Sequence, residues 1–416
     1  MSRAPRSLEP LRERPFRFLF LGRTLSAIGD AIVPVATTFA VLDLGNASDL
    51  GLVLGAYWGS RVVFVVIGGV WADRLPRQLV MMSADVVRAA VQTVIALAFF
   101  TGHIQVWHLA VSSAIFGLGS AFFGPASTGL VPSLVPPRLL QEANALLGIS
   151  RNGIEVFGPA ISGIVVATLG YGVVFAVDAA SFVASFVCLA AMKLPRRLEL
   201  MPGRSFLEDA RVGLRVIRER RWLVVTLTAD AIGNLTLASY FVLGPVVVAD
   251  HFGGATQWGF LLTAGAVGGL AGGALVLRWR PARPLVAAYG IMLLVPLQLA
   301  ALAPPVPFAG LLIGAALVFL AIVAANTYWQ TMEQQHVPRE ALSRVDSIAW
   351  MISLVVMPVG LVAAGPLSAA IGVRATLLAS AALSVVTLLA AVSSRSVREL
   401  RRVEDEPGGA PAHAHG

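Results

Sequence analysis

The sequence predicts an all-α integral membrane protein, with twelve transmembrane helices arranged as two pseudo-symmetric six-helix bundles. Of the 416 residues, 57% are hydrophobic and only 13% are charged, about half the charged share of a soluble domain. Apolar runs of about 20 residues, long enough to cross the hydrocarbon core of a bilayer, recur from one end of the chain to the other. The two halves also resemble each other, as in membrane proteins built from a duplicated unit.

The predicted spans divide the chain into four parts. Residues 1–193 form an N-terminal six-helix bundle and residues 221–393 a C-terminal one. Residues 194–220 join the bundles as a cytoplasmic linker, and residues 394–416 form a disordered cytoplasmic tail. The spans are predicted at 16–43, 49–72, 78–101, 105–131, 140–168, 171–193, 221–249, 255–277, 283–303, 306–331, 342–370 and 373–393.

The positions of the basic residues predict the orientation of the chain. When the connections are numbered alternately, 26 of the 31 Lys and Arg residues lie on one side of the membrane, and Arg374 lies alone on the other. Basic residues are enriched in cytoplasmic loops, so both termini are predicted to be cytoplasmic in a multi-pass protein of the inner (plasma) membrane. This one-sided clustering also argues against nucleic acid as the reason for the high isoelectric point.

The linker contains a candidate amphipathic helix. Apolar residues recur at spacings of three or four among Arg and acidic residues, at Phe206, Ala210, Leu214 and Ile217. This pattern is typical of a helix that lies on a membrane surface and is anchored by its Arg side chains. The alternative is a disordered basic linker, because a Pro-Gly pair precedes the pattern.

Short matches between the halves predict a duplication. Ser26-Ala-Ile-Gly-Asp30 in the first span matches Asp230-Ala-Ile-Gly-Asn234 in the seventh, 204 residues later. Further matches are spaced by 202 residues: Asn144 with Asp346, Gly158 with Gly360, and Gly163 with Gly365. Their order and nearly constant spacing favour an internal repeat over chance.

The connection after the second span carries a recognisable motif, Gly69-Val-Trp-Ala-Asp73-Arg74-Leu-Pro-Arg77. Glycine lets two helices approach closely, and an acid at a helix end can pair with an Arg or cap a neighbouring helix. The segment resembles the signature between helices 2 and 3 of the major facilitator superfamily, although a Leu-Pro pair stands where a Gly is common. The resemblance implies that Gly69, Asp73, Arg74 and Arg77 latch the two lobes in one state of a transport cycle.

The fifth span contains Gly158-Pro159-Ala-Ile-Ser162-Gly163. Pro159 removes a backbone hydrogen bond and bends the helix, and its small neighbours allow tight packing. The segment is similar to the motif of proton-coupled drug antiporters, with Ser162 in place of one Gly. The resemblance implies that this helix controls leakage and favours export. The alternative is a purely structural kink.

Other segments look like the branch of this superfamily that holds macrolide-efflux and enterobactin-exporter-type proteins. These are Phe16–Asp30, Ala121–Ala126, Ala143–Leu146 and Asp178–Phe182. The resemblance covers nearly the whole chain. It implies the major facilitator fold and export of a bulky amphiphilic drug or secreted metabolite, driven by proton influx. The proton gradient would then supply the energy, and no cofactor is expected.

Ionisable residues near the membrane centre are candidates for proton coupling, because each costs about 2.5–3.5 kcal/mol by insertion scales. The candidates in spans one, two and five are Arg23, Asp30, Arg61, Arg151 and Glu155. We expect Asp30 or Glu155 to carry the proton, and a nearby Arg61 or Arg151 to tune its pKa. The alternative for either acid is a structural ion pair, which Arg151 and Glu155 can form because they are four residues apart.

Aromatic and small polar residues predict where an amphiphilic substrate would bind. The candidates in spans seven and ten are Asn234, Tyr240, Asn326, Tyr328, Trp329 and Gln330. The run from 326 to 330 is favoured, since amides and aromatic rings recur within five residues. The alternative for the aromatic residues is lipid contact or core packing.

Other functions stay open on this fold. They are a lipid or lysolipid flippase, a transport-silent sensor and, less favoured because of the short loops, a membrane-embedded enzyme. The sequence predicts no catalytic residue, metal site or nucleotide-binding motif. The expected partners are the lipid bilayer and a small amphiphilic substrate, without nucleic acid, and a monomer is expected.

Overall fold

The computed structural model describes residues 6–72, 76–192, 206–304 and 306–403, and nearly all of them are helical. The first half contains α1 (Arg14–Leu44), α2 (Ala47–Ala72), α3 (Arg77–Phe100), α4 (Val106–Leu130), α5 (Leu140–Leu169) and α6 (Tyr171–Ala190). The rest contains α7 (Phe206–Glu219), α8 (Arg221–Phe252), α9 (Ala255–Arg278), α10 (Pro284–Ile291), α11 (Leu294–Leu302), α12 (Phe308–His336), α13 (Arg339–Ile371), α14 (Val373–Ser393) and the short α15 (Arg395–Arg398). The predicted all-helical fold is confirmed.

Eleven helical segments of the described chain are long and apolar enough to cross a membrane. They correspond to eleven of the twelve predicted spans. The predicted second span corresponds to α2, a helix of 26 residues that ends beside the segment 73–75 outside the described residues. The count of twelve therefore stays a prediction.

One predicted span is broken into α10 and α11. The two helices together occupy the candidate span Pro284–Leu302, and the break falls at Met292 and Leu293. Pro296 explains its position, because a proline ring clashes with the carbonyl four residues earlier and lacks the N–H that would bond to it.

The described residues form two compact units. The first contains the residues up to 192 together with Phe241–Thr263 and Leu361–Ala370. One of its apolar clusters includes Phe16, Leu19 and Met81, and another includes Val41, Leu50 and Phe175. The close packing of α1, α3, α4 and α6 in this unit positions the charged residues described below.

The second unit contains the other residues from 206 onwards. Its main apolar cluster joins Trp222, Leu285 and Val345 with Ile217 of α7. The structure places α7 within the segment predicted to form an amphipathic helix. Its packing differs from the predicted face, because Ile217 is buried in protein while Leu214 is 39% exposed.

The reason for this difference is a close approach at Gly213. A Cβ atom at this position would lie 3.0 Å from the carbonyl oxygen of Arg344 and 2.6 Å from the end of Ile348, both on α13. Only glycine allows α7 to come this near, so the helix docks on α13 through the side that carries Gly213 and Ile217.

Backbone geometry repeats between the halves. Gly170 joins α5 to α6 with a φ of 82°, and Gly372 joins α13 to α14 with a φ of 87°. Both angles lie in the left-handed region that favours glycine. The helix contacts repeat as well, since Gly158 packs against Ala31 of α1 and Gly360 packs against Leu235 of α8. These pairs agree with the spacings of 202 and 204 residues found in the sequence.

Candidate functional site

A buried guanidinium group lies at the centre of the first unit. The side chain of Arg88 on α3 is 2% exposed, and its Nη2 donates to Oδ1 of Asp85, one turn earlier, at 2.7 Å. Asp85 is fully buried. A buried ion pair is expensive to desolvate unless its geometry is good and other groups support it, and here the support comes from aromatic rings.

Three phenylalanine rings surround the Arg88 guanidinium. Its carbon lies 4.3 Å from the ring centre of Phe182, 4.6 Å from that of Phe123 and 5.8 Å from that of Phe116. These distances are within the range of cation–π attraction. Gly119 leaves room for the Arg88 side chain, because a Cβ there would lie 3.2 Å from its Cδ. Helices α4 and α6 therefore hold the cation of α3 in place.

Asp30 lies at the edge of this group. Its Oδ1 is 4.0 Å from Nη1 of Arg88, and its side chain is 41% exposed. The same oxygen has no hydrogen-bond partner among the described residues. Asp30 thus connects the buried cation to an accessible surface of α1.

Asp178 on α6 is the third carboxyl group of this region. It is fully buried, and Nε2 of Gln92 donates to its Oδ2 at 2.6 Å. A Cβ atom on Gly29 would overlap the Asp178 carboxyl, so the backbone beside Asp30 lies directly against it. We call Asp30, Asp85, Arg88 and Asp178 the acidic cluster.

The charges of the acidic cluster do not balance, since three carboxyl groups share one guanidinium. Uncompensated charge is costly in a membrane. Such a group of side chains can hold additional positive charge, and a proton shared among its carboxyls is the smallest form of it. The open edge at Asp30 is where a proton can enter or leave.

The other predicted coupling residues lie outside the acidic cluster. Arg151 donates from Nε to Oε1 of Glu155 at 2.7 Å, but the two side chains are 67% and 51% exposed. The guanidinium of Arg61 lies 5.3 Å from the ring of Trp58. Arg23 is half-buried and makes no ion pair with Asp30 in the described part of the chain.

The motif after the second span is only partly covered. Gly69 is in the last turn of α2, and Arg77 is the exposed first residue of α3. Asp73 and Arg74 lie outside the described residues. The latching role implied by the resemblance therefore stays a prediction.

The motif of the fifth span makes contacts on two sides. Ser162 is fully buried, and its hydroxyl donates to the carbonyl of Ile32 on α1. The carbonyl of Gly163 accepts a hydrogen bond from Thr256 Oγ1 on α9 at 3.1 Å. A Cβ on Gly259 would overlap the carbonyl of Pro159. The motif thus joins α5 to α1 and to α9 within the first unit.

A matching contact joins α2 to α13. A Cβ on Gly51 would overlap the carbonyl of Leu361, and one on Gly365 would overlap Ser48. Gly51 corresponds to Gly259 in the repeat, and Leu361 corresponds to Pro159. We call these two related contacts the glycine contacts. They connect a helix of one half to a helix of the other.

The structure separates the predicted substrate residues. Tyr328 is fully buried, and its hydroxyl donates to the carbonyl of Trp279 at 2.7 Å. Trp329 donates from Nε1 to Thr226 Oγ1 at 3.1 Å. Both aromatic residues therefore take part in helix packing. Asn326 and Gln330, one turn apart, share an exposed side of α12.

The two remaining candidates lie on α8. Asn234 is partly exposed, and its Nδ2 lies 3.4 Å from the carbonyl of Ser353. Tyr240 is 2% exposed. Of the predicted binding residues, Asn234, Asn326 and Gln330 are therefore the ones that a substrate could reach in this structure.

A second polar group was not predicted. The hydroxyl of Tyr289 lies 3.1 Å from Oδ1 of Asp230 and 3.3 Å from the carbonyl of Thr226. It is the same Thr226 whose hydroxyl accepts from Trp329. On α12, Glu333 is 2% exposed. A polar residue inside an apolar run was the available signal for these residues, as it was for Asp85 and Asp178.

Comparisons with known proteins agree on one family. The family model described as transmembrane secretion effector matches residues 6–411. The multidrug efflux pump Tap of Mycobacterium tuberculosis (strain ATCC 25618 / H37Rv) is 31% identical over 408 residues, covering 92% of this chain and 94% of that protein. Macrolide efflux protein A of Streptococcus pyogenes is 23% identical over 399 residues, with 92% and 97% coverage.

Solved transporter structures share the fold. A bacterial homologue of the human lysosomal transporter Spinster, inward-facing and unoccupied, has a TM-score of 0.72 at 15% identity, covering 96% of this chain and 99% of that one. A bacterial homologue of the iron transporter ferroportin, inward-facing, also has a TM-score of 0.72, at 18% identity with 92% and 99% coverage. At these identities the likeness concerns the fold alone.

Proposed function

The chain belongs to the transmembrane secretion effector family of major facilitator efflux transporters, and from this premise we propose that it exports a bulky amphiphilic molecule in exchange for protons. It is a multi-pass membrane transporter, not an enzyme. The proposed cargo is a drug or a secreted metabolite, in keeping with the names of its macrolide and multidrug efflux relatives. The proposed location is the plasma membrane with both termini in the cytoplasm, as the charge distribution predicts.

The transport cycle is proposed to be alternating access between the two halves. The glycine contacts support this, because they join a helix of one half to a helix of the other at the ends of the spans that face outwards in the predicted orientation. Each contact is formed by backbone against backbone, with little side chain between. Such contacts separate cleanly when two rigid bodies move apart.

Proton coupling is proposed to reside in the acidic cluster, with Asp30 as the proton carrier. The single observation that carries this proposal is the position of Asp30, which is accessible on one side and 4.0 Å from the buried Arg88 on the other. A proton arriving at Asp30 removes a negative charge next to Arg88. The guanidinium is then balanced by Asp85 alone among its neighbours, so loading changes the forces between α1 and α3.

Glu155 is the weaker candidate for the carrier. Its carboxylate is paired with Arg151 on the same helix, and both side chains are exposed. An exposed pair within one helix exerts little force on neighbouring helices, since such pairs contribute about 0.3–0.5 kcal/mol. Glu155 therefore serves as a matched control for Asp30.

Transport in proteoliposomes tests this proposal, with the macrolide erythromycin as substrate. Asp30→Asn should abolish uphill accumulation driven by an imposed pH gradient, while exchange of labelled for unlabelled erythromycin without a gradient should persist. Glu155→Gln should leave both unchanged. Undiminished gradient-driven accumulation in both variants would overturn the assignment of coupling to these acids.

A binding measurement tests the substrate side. Asn326→Ala and Gln330→Ala should each weaken erythromycin binding, because both amides are accessible on one side of α12. Trp329→Phe serves as the packing control, since it removes the hydrogen bond to Thr226 but keeps a ring. Unchanged affinity in both alanine variants would exclude this side of α12 from the binding site.

A further inference from the structure

The strongest feature outside the proposed transport route is a row of arginines on α7. Arg211, Arg215 and Arg218 are all exposed. Their spacing of four and three residues places them on one side of the helix. Together with Leu214 and Glu219 they line a groove of about 440 Å³.

The arginine row is fixed in direction by the packing of α7. The opposite side of the helix carries Gly213, which contacts the α13 backbone, and Ile217, which is 4% exposed. Rotation of α7 would separate Gly213 from α13 and expose Ile217. The three guanidinium groups therefore point away from the protein.

The row also lacks compensation. Within the described chain, none of the three guanidinium groups makes a hydrogen bond or an ion pair. Like charges one helical turn apart destabilise a helix, so this arrangement is unfavourable by itself. An anionic ligand would remove the repulsion.

The position of the row indicates which anion is available. Helix α7 ends at Glu219, and α8, which is a candidate membrane span, begins at Arg221. The row therefore lies within a few turns of the point where the chain enters the bilayer. This is the level of the lipid headgroups, where each basic residue attracts an anionic surface.

We propose that the arginine row of α7 is a binding site for the headgroups of anionic phospholipids. The helix is held by protein on its apolar side and by lipid phosphates on its basic side. Because α7 lies on α13, bound lipid would tie the linker and the second unit to the membrane surface. This role is independent of the exported substrate and of the coupling ion.

Native mass spectrometry of the full-length protein in detergent tests this site, with dioleoyl phosphatidylglycerol and dioleoyl phosphatidylcholine as probes. The wild type should bind the first phosphatidylglycerol at least about tenfold more tightly than phosphatidylcholine, since three charges contribute. A variant carrying Arg211→Gln, Arg215→Gln and Arg218→Gln should lose this preference. Substitution of the same three residues by Lys should retain most of it, because the charge remains.

A matched control removes the same charge elsewhere. Arg278, Arg280 and Arg283 are exposed in the connection between α9 and α10, and their replacement by Gln should leave the tightest phosphatidylglycerol site intact. Raising the salt concentration should weaken the wild-type preference, as expected for screened charges. The proposal is overturned if the wild type shows no preference, or if both glutamine variants lose it equally.

Discussion

The acidic cluster of the first half and the corresponding region of the second half have the same helical frame but different chemistry. At the spacing of 204 residues, Asp85 corresponds to Tyr289 and Arg88 corresponds to Met292. At the spacing of 202 residues, Asp178 corresponds to Ser380. Met292 packs against Ala324, Ala325 and Tyr328 of α12, much as Arg88 packs against α4.

Hydrogen bonds between neutral groups replace the charges in the second half. Ser380 bonds to Ser239 of α8 at 2.8 Å, and Tyr289 reaches Asp230 with its hydroxyl. The second half shows that these helices pack without an arginine or its carboxylates. The charges of the first half therefore have a purpose other than holding the helices together, which is why we assign the coupling to them.

The largest effect is expected for Arg88→Met, which gives the first half the residue found in the second. It leaves Asp85 buried without its counter-ion, and breaking a buried ion pair costs about 3–5 kcal/mol. Thermal unfolding in detergent should show a markedly lower midpoint. Adding Asp85→Asn should restore part of the loss.

Met292→Leu provides the control at the corresponding position. A volume-conserving apolar exchange costs less than about 1.5 kcal/mol, so its midpoint should stay near the wild type. Equal effects of Arg88→Met and Met292→Leu would mean that charge makes no difference between the halves.

The glycine contacts are symmetric, so they should respond equally. Gly51→Ala and Gly259→Ala each place a methyl group against a carbonyl of the partner helix, and overpacking costs about 1–3 kcal/mol. Gly59→Ala on α2 and Gly273→Ala on α9 are matched controls, because nothing lies near their Cβ positions. Thermal unfolding should separate the two pairs. Unequal results for Gly51→Ala and Gly259→Ala would contradict the symmetry of the contacts.

Tyr289→Phe should have a smaller effect. It removes the hydroxyl that reaches Asp230, and a single hydrogen bond contributes about 0.5–1.5 kcal/mol. Tyr57→Phe is the control, since its hydroxyl makes no hydrogen bond within the described residues. If Tyr289→Phe destabilised the protein as strongly as Arg88→Met, the contrast between the halves would fail.

The smallest effect is expected for Glu155→Gln. It breaks an exposed pair with Arg151, and exposed pairs contribute about 0.2–1 kcal/mol. The unfolding midpoint should move by little more than the error of the measurement. A large shift would show that this pair has a structural role that its exposure does not indicate.

The helices could be predicted from the sequence because length and hydropathy determine a membrane span locally. The broken span at Met292 could not, since a proline in a transmembrane helix is often accommodated by its neighbours. The repeat was visible because Asp30 with Asn234 and Gly158 with Gly360 kept their spacing. Its spatial meaning, two related contacts between halves, required coordinates.

The candidate site was only partly predictable. Asp30 was found because an acid at the centre of a span is conspicuous. Arg88 and Asp178 were not assigned to the site, since their neighbours come from α4, α6 and α3, far apart in sequence. The aromatic run at Tyr328 and Trp329 looked like a binding site, but its polar atoms bond to Trp279 and Thr226 in helix packing.

The most direct test of proton coupling is a measurement of proton release on substrate binding. Purified protein in weakly buffered detergent solution receives erythromycin, and a pH-sensitive dye follows the released protons. The wild type should release protons, and Asp30→Asn should release none while still binding erythromycin. Equal release from the wild type and Asp30→Asn would contradict the assignment of the proton to Asp30.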